Sequence, residues 1–313
     1  MNFIILISSL VLGLSTNNWF TLWVSLEINT LTYLYIAFNY NNISTNSCMK
    51  YFIMQTIPSS IFIMIISLNE INTLNNATNT IILLTMMMKL GLGPLYNWLL
   101  ELTETMNWLG FIMLNTLQKL LPLYIINMTL MNNSFSKSMI IFSSLLSCYM
   151  MYNTTSMKKF LAMSSLIHLS WIIYMMMTTN HSWVIYYLMY VFLAINLLFL
   201  PVNLHKINQI FYMKSPQSMN MCITMFNFCS MPPMMFFFSK IKAMSFMMNT
   251  DLLVMIMLLI SSLTSTYIYL AITYQITLNK KMYFLPKNNM TSWNNFNMAT
   301  IMSMMLLCII MFL

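Results

Sequence analysis

Apolar runs of about 18–25 residues recur along this chain, each long enough for a helix to cross the roughly 30 Å hydrocarbon layer of a bilayer. A water-soluble globule is excluded: 59% of the 313 residues are apolar and only 6% charged, against about 45–50% and 25% in soluble domains. Thirteen Lys and five Asp or Glu cannot solvate a surface of that size. The chain reads as an all-α polytopic membrane protein, with residues 1–313 forming one integral domain.

Residue choice carries a second message. Arg is absent, Gly (4) and Pro (8) are scarce, and Met reaches 39. Residues with GC-rich codons are avoided and Met stands where Ile or Leu is usual, as expected of an AT-rich animal mitochondrial gene. Met1 to Val11 has no charged stretch and no small-residue cleavage site, so no signal or transit peptide is expected. Cys48, Cys148, Cys222, Cys229 and Cys308 lack metal-ligand spacing and read as membrane-buried thiols. The loops hold no glycine-rich phosphate cradle, and the chain is expected to bind no metal, cofactor or nucleic acid.

Polar interruptions divide the sequence into about eleven spans, near 2–16, 19–39, 49–68, 79–96, 107–130, 137–153, 158–178, 182–202, 218–246, 251–275 and 296–313. The first and sixth are short, and the ninth is too long for one straight helix and contains Pro232-Pro233, so it is expected to be broken. Alternating the loops puts Lys50, Lys158, Lys159, Lys206, Lys214, Lys280, Lys281 and Lys287 on the N-terminal side and only Lys137 on the other. That bias places the N-terminus inside. Glu70, Glu101, Glu104 and Asp251 fall in loops and are expected to be solvated.

Five charges fall inside or beside the spans: Lys242 near the end of the ninth, and four deeper ones, Glu27, Lys89, Lys119 and Lys240. Each of these four costs roughly 3 kcal/mol at the centre of a membrane, about 12 kcal/mol together. Helix-breakers stand beside three of them. Lys89 runs into Gly91-Leu-Gly93-Pro94, Lys119 into Pro122, and Lys240 follows Pro232-Pro233 by two turns. Prolines at 94 and 122 free the carbonyls of Leu90 and Gln118, next to the lysines. Broken helices with ionisable groups at the midplane are a transporter pattern.

Burial disfavours the charged form of an amine and a nearby carboxylate restores it, so such a set can exchange protons without a metal. His168, ten residues into the seventh span, is a possible intermediate, and Gln118, Asn115 and Asn227 are possible water-binding groups. The same residues also suit plainer roles: a static ion pair at Lys119, a snorkelling end group at Lys242, a packing histidine at 168. Three histidines are too few for a two-haem cytochrome or a haem-copper site, and a rotary synthase channel needs the arginine this chain lacks.

Several stretches, in order over about residues 17–245, carry a resemblance. They are Asn18-Trp19 through Trp23 to Leu26-Glu27-Ile28-Asn29, Lys50-Tyr51-Phe52 with Gln55, and Lys89-Leu-Gly91-x-x-Pro94 with Trp98. Gln118-Lys119-x-x-Pro122 follows, then Ser156-Met-Lys158-Lys159-x-x-Ala162-x-Ser164-Ser165-x-x-His168-x-x-Trp171, and Pro232-Pro233 with Lys240. In these the chain resembles the chain 2 family of NADH:ubiquinone oxidoreductase, antiporter-like subunits of respiratory complex I, in its short animal form.

The resemblance implies two inverted-topology bundles, each with a broken helix, eleven spans, and a multi-pass position in the mitochondrial inner membrane with the N-terminus in the matrix. It implies Glu27 and Lys89 as a coupled pair, Lys119 as the central relay and Lys240 as the terminal lysine. It further implies NADH, FMN, iron-sulfur clusters and ubiquinone in other subunits, with other membrane-arm subunits, antiporter-like ones among them, and phospholipids such as cardiolipin as partners. The activity implied is proton pumping coupled to ubiquinone reduction. Alternatives are a scaffold of the same membrane arm with static ion pairs, and a subunit of a multisubunit cation/proton antiporter. Departures from the family pattern are Tyr96-Asn97 where a His is usual, Cys229-Ser230-Met231 where glycines are usual, and Ser239 where a proline is usual.

Overall fold

The computed structural model describes residues 2–41, 45–69, 75–129, 134–178, 182–197, 207, 215–232, 234–248 and 251–279. Thirteen α-helices account for the regular structure among them. In chain order they are α1 (Asn2–Ser15), α2 (Trp19–Asn41), α3 (Thr45–Asn69), α4 (Asn75–Leu90), α5 (Asn97–Thr105), α6 (Trp108–Asn115) and α7 (Leu117–Thr129). There follow α8 (Ser134–Asn153), α9 (Met157–Thr178), α10 (Ser182–Asn196), α11 (Ser215–Cys229), α12 (Met235–Met247) and α13 (Leu252–Asn279).

Ten of the eleven expected spans coincide with these helices, the fourth with α4 alone and two as broken pairs, α6/α7 and α11/α12. The eleventh, 296–313, lies outside the described residues, as do Glu70, Pro233, His181, His205 and Cys308. Among the described residues, four stretches are long and apolar enough to cross a bilayer: Thr45–Ser67, Trp108–Thr129, Met157–Thr178 and Leu252–Thr277. The 14 residues of α1 rise only about 21 Å, which agrees with the shortness expected of the first span.

Serine and threonine are abundant in these helices without breaking them. Their hydroxyls donate to the carbonyl one turn back, as Ser9 does to Leu6, Ser25 to Leu22, Thr85 to Ile82 and Ser170 to Ile167, so these hydroxyl protons are satisfied within their own helices. Small residues also let helices approach. A Cβ on Gly13 of α1 would stand 2.7 Å from Ser25 Oγ of α2 and 2.4 Å from Leu121 Cδ2 of α7, so any larger residue here would displace those side chains.

α9 is the central pillar. It packs against α5, α6, α7, α8, α10, α12 and α13, and from Met157 to Met176 every residue except Lys159 is buried. Its apolar residues therefore follow no helical stripe; a helix that is hydrophobic all round is one enclosed on all sides.

Two local expectations are corrected. Residues 97–105 are the helix α5 rather than a loop, beyond the break that ends the fourth span. Glu101 and Glu104 on it are exposed, as expected, and are also ion-paired, to Lys50 of α3 and Lys159 of α9, while the partly exposed Asp251 pairs with Lys137 of α8. In each pair both partners fall on the side assigned by loop alternation, which supports the alternation independently of the lysine bias.

Lys158 is the second correction. Counted as a loop lysine, it is 5% exposed. It donates to the Met106 carbonyl at the end of α5 and lies 5.7 Å from the Trp108 ring centroid. The negative end of a helix and an aromatic face together offset the loss of water around the ammonium.

Cysteines introduced at Lys50 and Lys137 are therefore expected to react with a membrane-impermeant maleimide from opposite faces of sealed vesicles. Labelling of both from one face would overturn the topology.

Candidate functional site

Each intramembrane lysine sits at a place where the helix carrying it is interrupted. α4 ends at Leu90, one residue after Lys89. Gly91 takes φ +71°, its N–H bonds the Met88 carbonyl at 3.1 Å and the Leu92 N–H reaches back to Met87 at 3.1 Å. This is the double closure of a helix on a left-handed residue, a conformation that glycine adopts without steric cost. Gln55 Nε2 donates to the Lys89 carbonyl at 3.1 Å, satisfying one of the acceptors the ending leaves over.

The second interruption is not where proline predicts. Pro122 lies within α7, and the distortion is at Thr116, with φ −113° and ψ −82°. Its carbonyl accepts the Tyr187 hydroxyl at 2.6 Å, an anchor from α10 that only the tertiary structure supplies. Lys119 follows in the first turn of α7. In the third, α11 ends at Cys229, Ser230 takes φ +54°, and α12 carries Lys240.

All three lysines and His168 are 5% exposed or less. Lys89 Nζ is buried without a hydrogen-bond partner among the described residues, and the half-buried Glu27 of α2 is the carboxylate whose charge reaches it. Lys119 Nζ donates to Ser165 Oγ of α9 at 2.9 Å and stands 5.7 Å from the Tyr190 ring centroid. Ser165 Oγ in turn lies 2.6 Å from the Ala162 carbonyl and 3.2 Å from Asn115 Oδ1. Lys240 Nζ donates to Ser230 Oγ at 2.7 Å.

His168 of α9 lies within electrostatic reach of both Lys119 and Lys240. Its Nδ1 is 3.3 Å from the Tyr186 hydroxyl, and Phe236 of α12 meets its ring edge-on at 4.5 Å between centroids. Near Glu27, Gln118 Nε2 donates to Asn29 Oδ1 at 3.1 Å and the Tyr51 hydroxyl donates to Gln118 Oε1 at 3.1 Å. Asn227 is buried with Oδ1 unpartnered among the described residues, and Lys242 is only partly buried.

The structure thus brings Glu27 toward Lys89, and Lys119 and Lys240 toward His168. Sequence reasoning assigned no role to Asn29, Tyr51, Ser165, Tyr186, Tyr190 or Ser230. For Ser165 a signal was present, since it lies one turn before His168 and so on the same face of α9; the others are joined only by the packing.

A helical bundle with broken spans and a row of buried cations at the breaks is the architecture of antiporter-like membrane subunits. Residues 16–268 match the family model described as NADH:quinone oxidoreductase/Mrp antiporter, TM. Among solved structures, a chain of respiratory complex I from Thermus thermophilus superposes with a TM-score of 0.80 at 15% identity, covering 96% of this chain and 75% of that one. A chain of the Mrp complex from Dietzia gives 0.70 at 11% identity, covering 91% and 60%. Those two likenesses establish the fold.

Among sequences, NADH-ubiquinone oxidoreductase chain 2 of Anopheles gambiae is 30% identical over 308 residues, 94% of this chain and 89% of that protein. The protein of the same name from Rhipicephalus sanguineus is 32% identical over 298 residues, 93% and 94% of the two chains. The chain belongs to the NADH-ubiquinone oxidoreductase chain 2 family.

Proposed function

We propose that this chain is a proton-translocating, non-redox subunit in the membrane arm of an NADH:ubiquinone oxidoreductase, set in the mitochondrial inner membrane with its N-terminus in the matrix. NADH oxidation on FMN and iron-sulfur clusters, and ubiquinone reduction, take place in other subunits. This chain supplies proton passage. Its exposed apolar faces, such as Ile4 and Ile7 on α1 and Leu263, Tyr267 and Tyr274 on α13, meet phospholipid, cardiolipin included, and neighbouring membrane-arm subunits, other antiporter-like ones among them.

The observation that carries the proposal is the chemistry around the buried amines. A locked ion pair needs a carboxylate held against each lysine, yet the groups holding Lys119 and Lys240 are hydroxyls, and Glu27 acts on Lys89 without a hydrogen bond to Nζ. Neutral partners accept from an ammonium without cancelling its charge, so the amine is free to lose a proton and regain it.

In this reading Glu27 sets the charge state of Lys89: ionised, it holds the ammonium, and protonated, it releases it. The proton lost from one amine is gained by the next along the axis from Lys89 to Lys119, His168 and Lys240. The matching gaps are bridged by water held on Gln118, Asn115 and Asn227.

Glu27→Gln tests the coupling. In sealed vesicles bearing the intact assembly, NADH oxidation is expected to continue while proton transfer through this subunit slows about tenfold, the lower range for altering one assisting group. An unchanged ratio of protons moved to NADH oxidised would remove Glu27 from the path.

A further inference from the structure

We propose that Ser230 is a positioning residue for Lys240, its hydroxyl delivered to the amine by a strained backbone at the break between α11 and α12. Ser230 is the one non-glycine residue with positive φ among the described residues, at +54°. That conformation costs an L-residue steric strain that glycine avoids. The corresponding left-handed residue at the first break is indeed a glycine, Gly91.

What a serine adds at this position is an acceptor with a fixed direction. Ser230 Oγ lies 2.6 Å from the Cys229 carbonyl and donates to it, so its lone pairs remain for the Lys240 ammonium at 2.7 Å. The Cys229 carbonyl belongs to the last residue of α11, where the unsatisfied carbonyls of a helix carry partial negative charge. The hydroxyl thus connects the cation to a helix C-terminus. It also ties α12 back to α11 across Pro232, since the two partners are ten residues apart and on opposite sides of the break.

This inference rests on the reading of Lys240 as a proton-carrying group, and the test separates the two. Ser230→Gly and Ser230→Ala both delete the hydroxyl, but only alanine keeps the backbone strain. In the intact assembly in sealed vesicles, both are expected to lower proton transfer per NADH oxidised by about tenfold, the effect of one lost hydrogen bond to a charged group. Thermal stability is expected to separate them, with Ser230→Gly the more stable. Ser230→Asn is expected to recover most of the transfer, because asparagine tolerates the left-handed region and presents an amide oxygen.

Normal transfer in Ser230→Gly overturns the inference, as does transfer that merely follows stability or a failure of asparagine to restore it. Lys240→Met supplies the reference. If that variant transfers protons normally, the reading of Lys240 itself falls; if it abolishes transfer while Ser230→Gly is silent, only the role of Ser230 falls.

Discussion

Lys119→Met is expected to stop proton transfer through this subunit, with a loss of about a hundredfold or more, while NADH oxidation in the assembly continues. Methionine has nearly the length of lysine and no polar atom to bury, so the space between Ser165 and the Tyr190 ring stays filled. Ser165 keeps its bond to the Ala162 carbonyl, and no donor is orphaned by the change. Lys119→Arg is the informative companion. Arginine preserves the positive charge over Tyr190 but does not release a proton in proteins.

The scaffold alternative therefore predicts an active Lys119→Arg and the relay predicts an inactive one. Both are read from protons moved per NADH oxidised in sealed vesicles, with assembly checked by the yield of intact complex. Normal pumping in Lys119→Met would discard the central relay altogether.

Gly91→Val is expected to be the most damaging single change at the first break. A β-branched residue at φ +71° is a steric outlier, and its Cβ would stand 3.1 Å from Leu99 Cδ1 and 3.2 Å from Trp98 Cζ2, both on α5. Strain of about 1–2 kcal/mol from the backbone adds to a further 1–3 kcal/mol, roughly, from overpacking. The turn that ends α4 beside Lys89 then has to reopen.

Thermal melting of the assembly should fall, and the remaining complex should lose proton transfer because the amine moves with the end of its helix. Gly93→Ala serves as the comparison. The Cβ there meets nothing closer than Ser143 Cα at 3.4 Å, an ordinary contact, so its effect is expected to stay below about 1 kcal/mol. Equal damage from both substitutions would show that volume, not the left-handed turn, is what position 91 requires.

The spans were legible because lipid leaves a chain few choices: every backbone donor must be satisfied within its own helix, and that takes about twenty apolar residues. The breaks at Gly91 and Ser230 were legible for a related reason, through prolines beside charges. The break in the middle pair was displaced, because Pro122 is accommodated inside α7 and the strain is taken up at Thr116, where Tyr187 from α10 satisfies the carbonyl.

α5 was missed although its pattern is present, with Trp98, Leu99 and Leu102 buried and Glu101 and Glu104 turned to their lysines. The two acids outweighed a nine-residue period. Lys158 was misplaced because its acceptor is a carbonyl 52 residues away. The lysines themselves stood out from the sequence, but the hydroxyls that hold them did not, since serine is too common in these helices to mark any one as a partner.

The enclosure of α9 has a consequence for leakage. Ser165 and His168 belong to a helix that turns almost no surface outward between Met157 and Met176. A proton held beside it is insulated from the lipid by a full layer of surrounding helices. In the proposed relay, charge would then travel along the plane of the membrane without short-circuiting across it, and whatever opens the route to either aqueous side would have to act on the interrupted helices around α9 rather than on the pillar itself.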